Sequence, residues 1–575
     1  MRSFALLGLV STFALAACSD SSTETATGGE QSPPALVADR LFVGDNILTM
    51  DDKYANANAV AIKGEQIVWV GKHVEWQGDA EEVIELGHRA LLPGFIDAHG
   101  HLAFFARTVN LANVASPPVG AVVTIASLQE ILRSYIEDRQ IPAGEWVVGM
   151  GYDDSLIEEQ RHPDRDDLDA VSAEHPIALI HVSGHLSSVN SMALDTAGIT
   201  ADSPDPPGGI IRRRADSTVP NGVLEESASS PLRALYMGAE GIPAEDIGRA
   251  LEAYAKYGIT TVQDGAASWE IHNLLADVAA GDGLSLDVVT YPQGMDESFA
   301  IPDGIALGEY HNRLKLGGTK LFVDGSPQGK TAYLTEPYEV VPEGQPDDYR
   351  GYPSVPQEFL NARVARYITE DVPMLVHCNG DAAAQMLIDA LDLATEQAPL
   401  GDHRTVMIHA QTVREDQLDR MQQLGVVPSY FSAHTFFWGD WHRDSVLGVK
   451  RASRISPSAS TLRRGMPFTV HNDAPVVPPN MIRLLWATVN RITRSGETLG
   501  EAQRISPEEA IRAMTANAAY QYFEEDSKGS LTPGKQADLV ILSENPANVP
   551  AETILEISVV ETISRGTTVF SNGGP

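Results

Sequence analysis

The chain has 575 residues, and its 41 Lys and Arg against 78 Asp and Glu give a formal net charge of −37 with histidine neutral. This charge argues against nucleic acid or an anionic lipid surface as the main partner, because phosphate groups would repel the protein. Hydrophobic residues make up 43% and charged residues 21% of the chain. This composition excludes wholesale disorder and indicates a folded protein with a substantial core.

The first apolar run has the features of an export signal. A short basic start precedes the apolar stretch 4–17, which ends in small residues before Cys18. Residues 15–18, Leu-Ala-Ala-Cys, resemble the lipobox of bacterial lipoproteins, in which the cysteine is lipidated; a simple cleaved signal with a chance cysteine is the alternative. We therefore expect a signal peptide over 1–18 and an exported lipoprotein that is anchored in the membrane through Cys18 and faces the periplasm. Ser19 resembles an outer-membrane sorting signal.

The rest of the chain contains no apolar run that would span a membrane, and it contains one further cysteine. No later apolar run approaches the roughly 18 residues that a spanning helix needs. Residues 19–35 are rich in Ser, Thr, Gly, Glu and Pro and are predicted to form a flexible tether. Because Cys378 is the only other cysteine, a lipidated Cys18 leaves no intramolecular disulfide.

Both ends of the chain after the tether are β-rich, and the middle alternates strands with helices. Short β-type runs at 40–50, 59–62 and 66–70 have counterparts at 536–542 and 557–570. Between them lie strand-like runs separated by helix-like stretches such as 382–398, and such alternation favours β/α units around a closed parallel barrel. These runs cover 146–150, 177–182, 260–263, 286–290, 319–323, 373–377, 405–409 and 467–470.

Histidines and one aspartate follow several of these apolar runs. His99 and His101 come after the apolar stretch 91–98, and on a continuous strand they would share one face. A His-x-His pair alone is weak evidence, because chance pairs and core histidines are common. However, the carboxyl ends of barrel strands meet at one mouth. The ends of three further runs supply His377, His409 and Asp473, and this ligand set suits zinc and similar ions.

Lys320 lies in a further strand, on the same face as Phe322 and Asp324. An ordinary ammonium group aimed at bound cations would be repelled and desolvated. A lysine there makes sense if its amine is carboxylated, so that the carbamate bridges two metal ions. The alternative is that Lys320 lies outside the metal site and forms a salt bridge with Asp324.

These motifs together resemble amidohydrolase family 3 of the amidohydrolase superfamily, in its YtcJ-like branch that includes N-substituted formamide deformylases. The resemblance covers nearly the whole mature chain and is specific because many modest motifs agree. They include Leu-Pro-Gly-Phe-Ile-Asp-Ala-His-Gly-His (92–101), Gly-Tyr-Asp-Asp (151–154), Gly-His-Leu-Ser-Ser-Val-Asn-Ser (184–191), Lys-Leu-Phe-Val-Asp-Gly-Ser (320–326), His-Cys-Asn-Gly-Asp (377–381), Ile-His-Ala-Gln (408–411) and Asn-Asp-Ala-Pro-Val (472–476).

The resemblance implies an α/β protein: a (β/α)₈ TIM-like barrel with a large insertion, plus a small β-sandwich built from both chain termini. The expected limits are 36–90 and 526–575 for the sandwich, 91–525 for the barrel and roughly 110–260 for the insertion, which should roof the pocket. The resemblance also implies two divalent metal ions, expected to be Zn²⁺. One is held by His99, His101 and Asp473, the other by His377 and His409, with carboxylated Lys320 as the bridge.

The implied chemistry is attack by a metal-activated hydroxide. Two divalent cations with a carbamate, an aspartate and a hydroxide leave a charge of about +1 to polarise a carbonyl group. Asp473 is then expected to take the proton of the water and pass it to the leaving nitrogen; the alternative is a metal ligand without a proton role. His185 is expected to orient the substrate carbonyl, and a structural histidine bonded to the backbone is the alternative.

Further residues are predicted to contact the substrate. His434 precedes an aromatic cluster at 436–441 that would bind an apolar group or else belong to the core. His471 stands where many relatives have glycine, and on a strand it would share a face with Asp473. Asp324 is a third predicted contact, whereas Cys378 is expected to be a buried small residue.

The sequence therefore predicts a hydrolase that acts on carbon–nitrogen bonds other than peptide bonds, in an amide, N-formyl or N-acyl substrate. A deaminase or ester hydrolase on the same metal centre is the alternative within enzymes. A non-catalytic metal-binding lipoprotein is the alternative outside them. The expected partners are a small-molecule substrate, the membrane through the lipid anchor, and a second copy in a homodimer, with no nucleic acid.

Overall fold

The computed structural model describes residues 36–573 except 207–208, 237–241, 343 and 398. The predicted signal peptide 1–18, the lipidation site Cys18 and the tether 19–35 lie outside the described residues, so these remain predictions. Within the described part of the chain, no helix is long and apolar enough to cross a membrane.

The chain begins with a four-stranded sheet in the order β3-β2-β1-β4. Strand β5 comes next in the chain but belongs to another sheet, and the short strand β6 follows it. Gly94 lies between the two strands, where only glycine fits, because a Cβ there would lie 2.4 Å from Thr260. The predicted single run 91–98 is thus divided. The strands are β1 (Val37–Val43), β2 (Ala59–Lys63), β3 (Gln66–Gly71), β4 (Asp79–Glu85), β5 (Ala90–Pro93) and β6 (Phe95–Ile96).

A six-stranded sheet follows, in the order β11-β12-β10-β9-β8-β7, and it lies within the range predicted for the insertion. Helix α2 is capped by Thr124, and its Leu128 and Leu132 share a buried core with Ile177 and Leu179 of this sheet. The elements are β7 (Ala112–Asn113), β8 (Val147–Tyr152), β9 (Ile177–His181), β10 (Leu186–Val189), β11 (Gly209–Arg213), β12 (Pro220–Glu226), α1 (Leu102–Thr108), α2 (Ile125–Arg139), α3 (Arg165–Asp169), α4 (Ser191–Thr196) and α5 (Ser230–Tyr236).

The central region consists of strands whose side chains are mostly buried on both faces, as parallel sheets covered by helices require. The strands are β13 (Ile259–Ala267), β14 (Asp287–Pro292), β15 (Tyr310–His311), β16 (Leu314–Leu316), β17 (Thr319–Phe322), β18 (Met374–Cys378), β19 (Val406–His409), β20 (Val427–Tyr430) and β21 (Thr469–Val470). The helices are α6 (Ala244–Lys256), α7 (Trp269–Ala280), α8 (Gln357–Thr369), α9 (Asp381–Gln397), α10 (Glu415–Leu424), α11 (His434–Trp441), α12 (Gly448–Ala452), α13 (Ser458–Arg463), α14 (Met481–Asn490), α15 (Pro507–Met514) and α16 (Ala516–Gln521).

Parallel pairing links the central strands in two groups, β6-β13-β14-β16 and β17-β18-β19-β20-β21. A parallel bridge between Gln293 and Lys320 connects the groups on one side. On the other side, the His101 N–H donates to the Ala474 carbonyl at 2.9 Å, and the Asp473 N–H donates to the His99 carbonyl at 3.1 Å. Backbone contacts therefore join the groups at both edges, and the strand ends that carry the histidines converge.

The chain ends in strands β22 (Leu539–Leu542), β23 (Val559–Ser564) and β24 (Thr567–Ser571). They form the sheet β24-β23-β22-β5, in which β22 pairs antiparallel with β5 from the other end of the chain. Phe42 and Val60 of the first sheet share a buried core with Leu539 and Ile541 of the last. The terminal sheet thus fits a sandwich domain, and it includes Ala90–Pro93, most of which the predicted limits assigned to the barrel.

A buried ionic cluster connects this C-terminal region to the central strands. The Asp287 carboxylate, at the start of β14, lies 2.6 Å from Lys528 Nζ and 3.0 Å from Arg565 Nε. Burial alone would raise the pKa of Asp287, but Lys528 and Arg565 hold it below its usual value. Glu524 pairs with both Lys315 and Lys528. The paired charges therefore hold the C-terminal region against the central strands.

Asp287→Ala should therefore destabilise the protein by about 3–5 kcal/mol, because it leaves buried cations without their anion. Glu245→Ala is the control, since it breaks an exposed pair with Arg249 and should change stability by less than about 0.5 kcal/mol. Denaturant unfolding of both variants measures the difference. Equal stability of the two variants would show that the cluster does not hold the two regions together.

Candidate metal centre

The converging strand ends form the floor of a cavity of about 480 Å³. We call it the metal cavity. It contains six polar side chains that the sequence predicted to hold metal ions, and these side chains are buried or nearly so. They are His99, His101, Lys320, His377, His409 and Asp473.

The first group consists of His99, His101 and Asp473. Asp473 Oδ1 lies 3.1 Å from His101 Nε2 and 3.5 Å from His99 Nε2. One ligand atom from each residue falls within 4.8 Å of the others, so a single cation can contact all three. His101 is not on a strand, because it immediately precedes helix α1. The two histidines therefore meet through the turn after β6 and not through a shared strand face.

The second group consists of His377 and His409, at the ends of β18 and β19. Nδ1 of His377 lies 3.1 Å from Nε2 of His409, and Oδ2 of Asp473 lies 4.0 Å from the same Nε2. Lys320 Nζ lies 3.1 Å from His99 Nε2 in the first group. The amine of Lys320 therefore faces the imidazoles. The alternative, a salt bridge between Lys320 and Asp324, would require the amine to face Asp324, and it does not.

Hydrogen bonds from outside the cavity determine which ring nitrogens face it. His99 Nδ1 donates to Gln263 Oε1 at 2.6 Å, and Gln263 Nε2 donates to the Ala98 carbonyl. His409 Nδ1 contacts His471 Nε2 at 3.2 Å, and His471 Nδ1 contacts Ser429 at 2.9 Å. The bond to Gln263 leaves Nε2 of His99 with a lone pair directed at the cavity, as metal ligands require. The contact with His471 orients the His409 ring so that its Nε2 faces the cavity.

The backbone is strained where two of these side chains enter the cavity. His409 has φ +71° and Asp473 has φ +58°, a region that residues other than glycine rarely adopt. Strain of this kind costs on the order of 1–3 kcal/mol and concentrates at functional sites. Gly265 allows the His99 ring its position, because a Cβ at 265 would lie 2.5 Å from that ring.

Burial dominates the electrostatics of the cavity. It lowers the pKa of His377 to about 3, with the charge of Lys320 adding to the effect. It also lowers the pKa of Lys320 to about 7, so a neutral amine is accessible near neutral pH. For Asp473, burial alone would raise the pKa, but the neighbouring His101, His409 and His99 hold it well below its usual value. The site thus combines one carboxylate with the imidazoles of His99, His377 and His409, whose pKa values burial lowers.

These residues fit divalent metal ions. Asp473 Oδ1 is buried and receives no well-aligned hydrogen bond, although imidazole nitrogens surround it. Lone pairs on nitrogen and oxygen at such distances repel one another unless a cation lies among them. His99, His101 and Asp473 supply the three nitrogen and oxygen ligands that are typical of catalytic zinc sites, in which a further position is left for water or substrate.

His185 also lines the metal cavity. Its ring lies 6.2 Å from the His377 ring, centroid to centroid, and its Nδ1 is 2.9 Å from Glu226 Oε2. Burial alone would lower the pKa of His185, but the charge of Glu226 and the hydrogen bond to it raise the pKa overall. A side-chain carboxylate therefore holds His185, in place of the backbone contact that the structural alternative assumed.

The structure places two predicted substrate contacts away from the cavity wall. Asp324 is buried, and its carboxylate accepts the backbone N–H groups of Tyr333, Asn379 and Gly380. It therefore holds the loop after β18. His471 does not share a face with Asp473, because β21 ends at Val470. It contacts His409 Nδ1, and neither Asp324 nor His471 lines the metal cavity.

His434 and the aromatic cluster do not line the metal cavity. The His434 ring is buried against Phe431 and Trp438, with centroids 4.2 and 4.8 Å away, and it borders a small space that also contacts His377 and Asp473. Phe437 and Trp438 line a separate cavity of about 400 Å³. Cys378 is fully buried, and burial raises its pKa, as expected of a small core residue.

Sequence reasoning missed Gln263 and Ser429, which support the metal-facing histidines. Gln263 ends the predicted strand run 260–263. A polar residue at the end of an apolar strand was the available signal, the same one that identified His377 and His409. Ser429 lies inside β20, and nothing in its sequence context distinguishes it from a core serine.

A model of the amidohydrolase family matches residues 82–570 of the chain. The chain belongs to this family. The predicted resemblance to amidohydrolase family 3 is therefore confirmed, and membership makes the protein a hydrolase of the amidohydrolase superfamily. Together with the His/Asp group, it supports metal binding.

Relatives match along most of their length. The N-substituted formamide deformylase of Arthrobacter pascens is 28% identical over 561 residues, which cover 93% of this chain and 99% of the relative. The putative amidohydrolase YtcJ of Bacillus subtilis is 24% identical, covering 92% and 99%. The crystal structure of an uncharacterized metal-dependent hydrolase from Pyrococcus horikoshii superposes with a TM-score of 0.68 at 21% identity, covering 89% of this chain and 99% of that chain. This last likeness shows the mixed α/β fold.

Gln263→Leu should weaken metal binding by about tenfold to a hundredfold, because the His99 ring loses the acceptor that orients it. Competition with a chelator, followed by elemental analysis, measures the affinity. Gln411→Leu is a buried control away from His99, since its side chain contacts Ser456, and it should keep the metal. Unchanged affinity in Gln263→Leu would contradict the proposed orientation of His99.

Proposed function

We propose that the protein is a metal-dependent hydrolase that cleaves carbon–nitrogen bonds other than peptide bonds in N-acyl or N-formyl amines. The observation that carries the proposal is the convergence of four imidazoles, Lys320 and Asp473 on one cavity large enough for a small molecule. The deformylase named above acts, by its name, on N-substituted formamides, and this supports the substrate class.

The proposal includes the architecture around the cavity. We infer that β6, β13, β14, the broken strand β16–β17, and β18 to β21 form a closed (β/α)₈ barrel. The backbone contacts at both edges of the strand groups support this closure. The sheet β7–β12 is then the insertion, and its residues Ile180, Ser183 and His185 form part of the cavity wall.

His99, His101 and Asp473 would hold one divalent ion, and His377 and His409 a second. Such ions supply Lewis acidity, which activates water as a nucleophile and polarises a carbonyl group. Asp473 would take a proton from the water and deliver it to the leaving nitrogen. The water oxygen bonds to the acyl carbon as the carbon–nitrogen bond breaks, so the products are a carboxylic acid and an amine.

His185 would donate a hydrogen bond to the substrate carbonyl. Its raised pKa favours the protonated ring, which has a second N–H available while the first contacts Glu226. A donor placed where negative charge develops on oxygen stabilises the transition state. Glu226 thus acts through His185, by holding the orientation and charge of that ring.

Lys320 would be carboxylated and would bridge the two ions. Its amine is almost fully buried, faces His99, and has a pKa lowered to about 7. A neutral amine can add to carbon dioxide, with loss of one proton, to give a carbamate. This step converts a buried cation that would repel metal ions into an anion with two oxygen ligands.

The Zn²⁺-loaded protein should hydrolyse members of a panel of N-formyl and N-acyl amines, with matched esters included for comparison. Asp473→Ala should lower kcat by about a hundredfold or more, because the proton carrier and a metal ligand are lost. Lys320→Ala should lower the metal content below the expected value of about two ions per chain, and it should lower the activity as well. Elemental analysis and product assays measure these effects.

Arg249→Ala is the surface control for that experiment and should keep full activity. Metal binding without turnover of any substrate would favour the non-catalytic alternative. Preference for the esters would favour the ester hydrolase. Full metal content and activity in Lys320→Ala would contradict the bridging carbamate.

We also propose that the protein is lipidated on Cys18 and anchored in the membrane, with its catalytic region facing the periplasm. The support is the sequence over 15–18 together with the tether 19–35. Cys18→Ala should abolish labelling by radioactive palmitate in a bacterial host and move the protein to the soluble fraction. Labelling that persists in this variant would contradict lipidation at Cys18.

A further inference from the structure

Two arginines line the metal cavity in addition to its metal-facing residues. Arg107 comes from α1, shortly after His101, and Arg233 comes from α5. Apart from Lys320, they are the only arginine or lysine side chains among the described residues of the cavity wall. A substrate in this cavity therefore meets guanidinium groups beside the metal centre.

Arg233 is fixed close to the expected position of the substrate carbonyl. Its Nη2 donates to the backbone carbonyl of Gly184, the residue before His185. Arg233 and His185 both line the metal cavity. Its Nε is buried and has no hydrogen-bond partner. A buried N–H without an acceptor is costly, so this group offers a donor that a ligand can satisfy.

The acidic residues of the cavity do not supply the missing acceptor. Asp473 belongs to the metal group, and Asp264 accepts the Ala103 N–H at 2.7 Å. Glu226 lies outside the cavity wall and contacts His185 through Oε2. Its Oε1 is also buried without a hydrogen bond, but its ion pair is with His185 and not with Arg233. An anion carried by the substrate is therefore the natural partner of Arg233.

Much of the remaining wall is apolar, although Ser183 and Gln293 also line it. The apolar side chains come from α1, the β7–β12 sheet, α7, β17 and the segment after β21, and they surround the polar floor. They are Phe104, Ile180, Ile271, Phe322 and Val476. A ligand that fills the cavity thus needs an apolar group as well as an anion and a carbonyl. The planar fork of an arginine matches a carboxylate, with which it forms short, charge-assisted hydrogen bonds.

We infer that the substrate carries a carboxylate that pairs with Arg233 and an apolar side chain, so that it is an N-acyl or N-formyl amino acid. This inference rests on the proposed function and specifies its substrate class. Hydrolysis then gives a free amino acid and the acid of the acyl group. Arg233 acts as a specificity determinant that contacts the substrate without taking part in bond cleavage.

The test compares N-formylphenylalanine with N-formyl-2-phenylethylamine, which lacks only the carboxylate. The Zn²⁺-loaded full-length protein should show a kcat/KM about tenfold to a hundredfold higher for the first compound, mainly through KM. Arg233→Met should bring this ratio to about one by raising KM for the carboxylate alone. Arg233→Lys should retain part of the preference, and Arg249→Met, on the surface, should retain all of it.

Calorimetric binding of the two compounds to the metal-loaded protein provides a readout that does not need turnover. Tighter binding of N-formylphenylalanine that is lost in Arg233→Met would support the inference, even if neither compound is hydrolysed. In that case only the proposed function would fail. Equal binding and turnover of both compounds by the unmodified protein would overturn the inference and leave the hydrolase intact. A preference that persists in a folded Arg233→Met protein would also overturn it.

Discussion

The structure depends on the exclusion of water from a group of nitrogen and oxygen ligands that would repel one another without a cation. Burial lowers the pKa of His99, His377 and His409, so these rings are neutral and their lone pairs are available. Asp473 contributes the one negative charge among them. A cluster of this kind is unfavourable as a structural core, and it becomes favourable only when metal ions compensate for the desolvation.

The fold provides the rigidity that this cluster needs. Short buried strands bring the ligands to one end of the central sheets, and bonds behind them, from Gln263 to His99 and from His471 to His409, fix the rings. Left-handed backbone at His409 and Asp473 turns two ligands inward. The β7–β12 sheet and α5 then add His185 and Arg233 to the wall of the same cavity. Metal-facing residues and substrate-facing residues therefore come from different parts of the chain.

Sequence reasoning could predict the positions of site residues that follow strand ends. It could not predict positions that depend on turns or on contacts between distant strands. His377 and His409 follow apolar runs, so their convergence was predictable from the parallel sheet. The position of His471 was not, because β21 ends early and the chain turns before Asp473. Gln263 and Arg233 were missed for another reason: a lone polar residue acquires a role only when folding brings a histidine or a cavity to it.

The most direct test of the central claim is anomalous diffraction at the zinc edge from crystals of the Zn²⁺-loaded protein. The account predicts two peaks per chain about 3.5–4 Å apart, one near His99, His101 and Asp473 and the other near His377 and His409. Electron density should extend beyond Lys320 Nζ and reach both peaks. A single peak with an unmodified lysine, or peaks away from these residues, would contradict the two-metal centre.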